Sequence, residues 1–459
     1  MKIDTYNNAR KYLETLIKPS IFEVITDDNI KKIDPLDRMR TLLSLLGNPE
    51  EKFISIQVSG TSGKGSTAYY ISLMATKLGY KTGLSISPHL QRLNERVQIN
   101  NIQIDDEALI LLVNEIKYSI DKMKKMIVGE PSYFEALMAI GFLYFAREKV
   151  ELAIIEVGLE GKYDASNLLT PIIGVLTNID LDHVEYLGNT VEKIAKEASS
   201  MIKNKEIIVS GVRQESVIKI VSKIARKNNA VFNLLGKDFY FERKKDSYGK
   251  LVFSYFGKRK ILNIYLSMFG DYQIENATLA IRTIEILGDF GFIISDEAIR
   301  DALSSAYFPG RFEIIENNLS ITKSTIILDG AHNPAKMMAF ITQLHFLYPN
   351  KKKIFIVAFK KNKDIDRMVQ EIIDEADIII ATKFSINTTY MAFAMEAKDV
   401  AEIIRNKNSD INLLIKSSAT LSLKKAIDIA KVEDLIIVTG SLYLVGEVKN
   451  IIDEIIYQA

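Results

Sequence analysis

The chain has 459 residues, enough for two or three domains with a sizeable buried core, and its 47% hydrophobic and 25% charged content excludes disordered, collagen-like and coiled-coil classes. Lys and Arg outnumber Asp and Glu by 59 to 58, so no overall field draws the chain to nucleic acid or an anionic membrane, and neither is expected as a partner. With no cysteine there can be no disulfide, thiolate metal site or thiol nucleophile.

The first stretch, MKIDTYNNARKYLETLIKPS, scatters charges where a signal peptide needs an unbroken apolar segment, so a cytoplasmic address is expected. Four β-branched apolar runs then alternate with longer helical stretches: FISIQV (53–58), GLSIS (83–87), LAIIEV (152–157) and IIGVLT (172–177). That alternation predicts parallel strands joined by crossover helices, in a doubly wound α/β sheet covered on both faces. The apolar run 136–146 is far shorter than the ~20 residues that cross a bilayer. From 231 to 266 the pattern becomes short alternating pieces with charged turns, predicting a small antiparallel addition. After FPGR (308–311) the βα rhythm resumes through TIILD, KIFIVAF, DIIIAT and LIIVTG, predicting a second, smaller Rossmann-like α/β domain. The expected division is 1–306, a hinge at 307–312, and 313–459.

The sharpest local signal is VSGTSGKGST, where a predicted strand runs through Gly60, Thr61, Ser62, Gly63, Lys64, Gly65 and Ser66 into a helix. Glycines let backbone N–H groups approach phosphate oxygens, the helix start adds partial positive charge, and Lys64 supplies a point charge for the β- and γ-phosphates. The spacing departs from the usual P-loop, since Val58 stands six residues before Lys64 and Gly65 follows it. Either Ser66 or Thr67 is placed to reach a magnesium ion. Of four histidines, His89, His183 and His332 sit in turn-like contexts after strands, whereas His345 lies in a helical stretch and is assigned a structural role. Ligand crevices of open α/β sheets lie outside the carboxyl ends of strands, where Ser87, Glu156, Asp180, His183 and Asp329 are expected.

Together GTSGKGS, SPHLQRLNERV, SYFEALMAIGFLYF, EVGLEGKYDASN, NIDLDHVEYLG, GDYQIENATLAI, FPGRFEII, LDGAHNP and VTGSLYLVGEV, in this order, resemble the folylpolyglutamate and dihydrofolate synthases of the Mur ligase superfamily. The resemblance implies an amino-terminal ATPase domain, a carboxy-terminal Rossmann-like domain and an active site in the cleft between them. It implies ATP phosphates on Gly63, Lys64 and their neighbours, and magnesium on Ser87, Glu156 and His183. Asn276, Arg311 and Asp329 would hold the nucleotide, and Arg92, Asn94 and Arg96 would serve the pterin side. The implied activity is ATP- and magnesium-dependent addition of L-glutamate to a folate-type carboxylate through an acyl phosphate. His332 is a candidate helper in deprotonating the amine, and a monomer is expected. A Mur-type ligase with another acceptor, or a relative that has lost turnover, stay open as alternatives.

Three positions depart from the family pattern: Ala198 where the family has a carbamylated lysine, Glu160 where it has glycine, and Tyr272 where it has histidine. On a helix assumed over 191–203, Ala198 shares a face with Ile194, Ala195, Met201 and Ile202. No carbamate is therefore expected. Glu160 is expected in solvent, with a substitute carboxylate near metal as the alternative.

Overall fold

The computed structural model describes residues 3–17, 34, 36–182, 184–244, 251–316, 324–385 and 393–458. Among these, residues up to Ala306, apart from Met268–Tyr272, form one compact unit, while Met268–Tyr272 and Tyr307 onward form another.

The first unit is built on an eight-stranded sheet of β1 (Ile54–Ser59), β2 (Thr82–Ser85), β3 (Val97–Ile99), β4 (Ile102–Gln103), β5 (Leu152–Glu156), β6 (Ile173–Leu176), β7 (Ile207–Ser210) and β8 (Val231–Leu234). Their order is β4-β3-β2-β5-β1-β6-β7-β8, parallel from β2 to β8, with β3 and β4 adding an antiparallel edge that the sequence pattern did not announce. All five residues of β5 are buried, as a strand covered on both faces requires. Ala153 and Ile155 share a core with the helices Asp106–Met123 and Tyr133–Arg147, so Ile154 faces the opposite side.

The apolar run 136–146 lies within the helix Tyr133–Arg147, buried as core. A capping box starts that helix: the Ser132 hydroxyl accepts from Glu135 N–H at 3.2 Å, and the Glu135 carboxylate accepts from Ser132 N–H at 2.6 Å. Such a cap contributes about 1 kcal/mol.

The expected antiparallel addition is present, with one correction. Residues 231–234 form β8, the last parallel strand, because β8 continues the ladder of β7, pairing Ile207 with Val231. Only β9 (Tyr240–Lys244), β10 (Leu251–Phe256) and β11 (Lys260–Leu266) make the antiparallel sheet.

The second unit has a six-stranded sheet of β12 (Glu313–Ile315), β13 (Thr325–Leu328), β14 (Lys353–Val357), β15 (Ile378–Ala381), β16 (Asn412–Ile415) and β17 (Leu435–Thr439). Its order is β12-β13-β17-β14-β15-β16, parallel except for β12 against β13. Phe355, Ile379 and Ile437 contribute to its core with Phe340 and Met368 of the covering helices.

Candidate active site

The strand register of the first unit levels three carboxyl ends: Val58 lies beside Glu156, and Ser59 beside Leu176. The chain leaves β1 at Gly60, whose φ of +126° favours glycine, and a Cβ there would sit 2.1 Å from Thr177 Oγ1. The segment after β6 fixes this loop. The Thr177 hydroxyl donates toward Ser59 O and Ser62 O at 3.1 and 2.7 Å, Thr61 N–H donates to Asn178 O at 3.0 Å, and Ser62 N–H to Asn178 Oδ1 at 2.7 Å. Thr61 and Ser62 thus use their backbone donors on protein. The helix Lys64–Lys77 follows, and the N–H groups of its first turn have no helix carbonyl one turn back to accept them, the arrangement that suits an anion.

Gly63, at φ +83°, is the second position where only glycine fits, because a Cβ would lie 2.3 Å from Asn276 Oδ1. Asn276, on the helix Asp271–Leu287, donates to Gln273 Oε1 at 3.1 Å, and Gln273 also accepts from the Tyr70 hydroxyl at 3.3 Å. Ser66 Oγ lies 3.5 Å from Gln273 Nε2, while the fully buried Thr67 hydroxyl has no hydrogen-bond partner among the described residues.

Lys64 Nζ donates to Gly60 O at 2.6 Å and stands 3.6 Å from Glu160 Oε1. Glu160 is only 4% exposed, which corrects the expectation of a solvent-facing loop residue. Burial pushes its carboxyl above the usual range, opposed by the Lys64 ammonium and reinforced by the charge of Asp182. The cause of its burial is Asp164, which accepts from Gly158, Leu159 and Ser166 N–H at 3.1, 2.9 and 2.9 Å and draws the loop after β5 inward. Asp164 and Asn178 lie inside motifs visible in the sequence, but nothing in their spacing distinguished them from solvent-facing loop residues.

Ala198 is 1% exposed and packs in an apolar cluster with Ile194, Ala195, Met201 and Ile202, the face expected for it. The helix is shorter than assumed, ending at Ala198 and continuing as a 3-10 turn, Ser199–Met201.

Glu156 is buried and accepts Ser87 N–H at 2.7 Å, which brings two of the three expected metal ligands together. His183 lies outside the described residues. A cavity of about 10 Å³, room for a single water, is lined by Ser85, Ser87, Arg96, Phe134, Met138 and Glu156. Arg96 therefore borders the Ser87–Glu156 contact. Its Nε donates to His89 Nδ1 at 2.8 Å, and burial together with the Arg96 charge pushes the His89 pKa down to about 3, so this histidine is neutral. Arg92 makes two bonds to the Asp106 carboxylate, at 2.7 and 2.8 Å, and Asn94 donates to Ile104 O at 2.7 Å and Asp106 Oδ1 at 3.0 Å. Glu95, not singled out in the sequence, accepts Leu90, Gln91 and Arg92 N–H at 2.6, 2.7 and 2.7 Å and shapes the turn.

Arg311, Asp329 and His332 belong to the second unit. Asp329, after β13, accepts Phe312 N–H and Ala331 N–H, both at 2.8 Å. Burial raises its pKa to about 6 against the opposing charge of Arg311. Tyr272 belongs to this group, its hydroxyl pKa raised by burial and by Asp329. His332 Nδ1 is 2.7 Å from Gly330 O, so Nδ1 carries the proton, and Nε2 faces Lys336 Nζ at 3.1 Å. With its acceptor nitrogen facing an ammonium, His332 is poorly set up as a base. His345 is on the helix Pro334–Leu347 and pairs with Glu375 at 2.5 Å, as befits a structural role.

Comparison with known proteins matches residues 58–284 to the Mur ligase middle domain and 311–451 to the dihydrofolate synthetase C-terminal domain. A dihydrofolate synthase/folylpolyglutamate synthase of Bacillus subtilis is 31% identical over 419 residues, 90% of this chain and 94% of its own. The chain belongs to the dihydrofolate synthase/folylpolyglutamate synthase family. As a member of that family it is an ATP-dependent ligase of the Mur type. The crystal structure of a folylpolyglutamate synthase from Thermotoga maritima superposes with a TM-score of 0.82 at 29% identity, covering 98% of this chain and 96% of its own. A Mycobacterium tuberculosis folylpolyglutamate synthase complexed with ADP does so with a TM-score of 0.82 at 26% identity, covering 92% and 95%. Among the described residues no helix is long and apolar enough to cross a membrane.

Proposed function

We propose that this ligase joins the amino group of L-glutamate to the carboxylate of a folate-type acceptor and acts as a monomer. The observation that carries the reading is the level placement of the Lys64 loop and Glu156 at the ends of the paired strands β1 and β5. The first-turn N–H groups of the helix Lys64–Lys77 and the Lys64 ammonium hold the β- and γ-phosphates, and Asn276 closes over Gly63. In the second unit, Arg311 and Asp329 serve the nucleotide. An acceptor carboxylate oxygen attacks the γ-phosphorus as the bond to ADP breaks, giving an acyl phosphate. The glutamate amine then attacks the acyl carbon, phosphate leaves, and the amine loses its proton.

The donors present fit magnesium: the Ser87 hydroxyl and Glu156 carboxylate are hard oxygen ligands, with His183 proposed as the third. Among the described residues no group of three or more His, Asp or Glu side chains gathers to hold a metal, so nucleotide phosphates and waters would complete the shell. When bound, the ion neutralises charge on the transferring phosphoryl group. Arg96, beside Ser87 and Glu156, faces the acceptor, while Arg92 and Asn94 position the loop through Asp106.

The test is coupled ADP release with dihydropteroate or a reduced folate as acceptor, plus glutamate. Sustained ADP release is expected only when acceptor and glutamate are both present. Equal release without acceptor, or none with either acceptor, would contradict the reading.

A further inference from the structure

The proposed chemistry leaves one charged group of the phosphate cradle without a task. Glu160 is buried, neither of its carboxylate oxygens has a hydrogen-bond partner among the described residues, and Lys64 Nζ at 3.6 Å is its ion-pair partner. A carboxylate stripped of water, with the Lys64 ammonium and the Gly60 N–H near it but outside hydrogen-bond geometry, is costly to keep. The loop nevertheless holds it there. Asp164 fixes Gly158 and Leu159 on one side, while Gly161, at φ +128°, turns the chain on the other.

The conflict sharpens when the cradle fills. Lys64 is the cation that a triphosphate takes, and its single charge cannot neutralise both the phosphates and Glu160, beside which Asp182 adds more negative charge. Either a proton or a further cation must make up the difference. Two bare carboxylate oxygens suit a cation, because magnesium and manganese are held by one or two carboxylates plus substrate phosphates and water, with no all-protein cage.

We infer that Glu160 is the protein ligand of a divalent cation that enters with the nucleoside triphosphate, additional to the ion proposed for Ser87 and Glu156. The inference rests on the Lys64 loop being the triphosphate site.

The test measures binding of a non-hydrolysable ATP analogue to wild type, Glu160→Gln and Glu160→Gly, in EDTA and in Mn²⁺, counting bound Mn²⁺ by electron paramagnetic resonance. Thermal unfolding without nucleotide verifies that each variant is folded, and the two substitutions guard against failure of either. Both variants should bind one Mn²⁺ fewer than wild type at saturating analogue. In EDTA, with the repulsion removed, they should bind the analogue about tenfold more tightly, and the enhancement by Mn²⁺ should shrink by a similar factor. Equal Mn²⁺ counts would overturn the inference. If, with equal counts, wild-type affinity in EDTA rises toward lower pH while that of Glu160→Gln does not, the missing charge is a proton and the cation is excluded. Failure of wild type to bind the analogue even in Mn²⁺ would instead overturn the triphosphate site, and this inference with it.

Discussion

Two loops at the carboxyl end of the same sheet are built on opposite plans. In the loop after β1, the holding groups come from the neighbouring segment after β6: the Thr177 hydroxyl and the Asn178 oxygens fix Ser59–Ser62, Gly60 and Gly63 take conformations that favour glycine, and Lys64 donates to Gly60 O and pairs with Glu160. In the loop after β2, the loop's own side chains do the holding. Glu95 takes three backbone N–H groups, while Arg92 and Asn94 spend their donors on Asp106. Membership of a function-bearing motif therefore says little about contact with a ligand until the motif's own internal bonds are known.

The largest expected effect breaks the first loop. Lys64→Ala should lower turnover by at least about 10³-fold and should also destabilise the protein by roughly 1–3 kcal/mol, because Glu160 loses its counter-charge. Adding Glu160→Gln should restore most of the stability, read by urea unfolding, and none of the turnover. Full recovery of turnover would remove Lys64 from the phosphate site.

Glu95→Ala tests the opposite plan. It removes the acceptor of three backbone donors, two of them partly buried, and should cost about 1–3 kcal/mol by urea unfolding. A variant of unchanged stability would show that the turn does not depend on that carboxylate.

Arg92→Ala should do much less. Its pair with Asp106 is exposed, 50% and 45%, so a stability loss under about 1 kcal/mol and a rise in acceptor KM under about threefold are expected. A tenfold rise in KM would return Arg92 to direct contact with the acceptor.

An effect read only through pH lies in the second unit, where Asp329 is buried between backbone donors. Its pKa is raised to about 6, so the folded state holds this proton more tightly than the unfolded chain does. This contribution to stability is fully present below the unfolded value near 3.8 and is lost as pH rises through about 6. Asp329→Asn should flatten the stability profile between those values. An unchanged slope would assign it to other groups.

The parallel strands were legible because β1, β5 and the strands of the second unit are apolar runs that a two-faced sheet demands. The glycine turn between β1 and the helix Lys64–Lys77 was legible because Gly60 and Gly63 take positive φ values there that other residues rarely adopt. The apolar face around Ala198 followed from helical spacing alone. β8 was misassigned because a short half-exposed strand resembles a hairpin arm, and its partner β7 is distant in sequence. The burial of Glu160 was hidden because it depends on Asp164 pulling in the loop. Likewise the occupation of Arg92 and Asn94 depends on Asp106, which belongs to the helix Asp106–Met123. Such pairings are properties of tertiary packing and leave no periodicity to read.

The central claim is that the acceptor carboxylate takes the γ-phosphoryl group before the amide forms. The most direct measurement is turnover of an acceptor carrying ¹⁸O in that carboxylate, followed by mass analysis of the released phosphate. One ¹⁸O atom in each phosphate is expected, because the acyl–oxygen bond of the acyl phosphate breaks when the glutamate amine attacks. Unlabelled phosphate, with amide formed at the normal rate, would contradict the account.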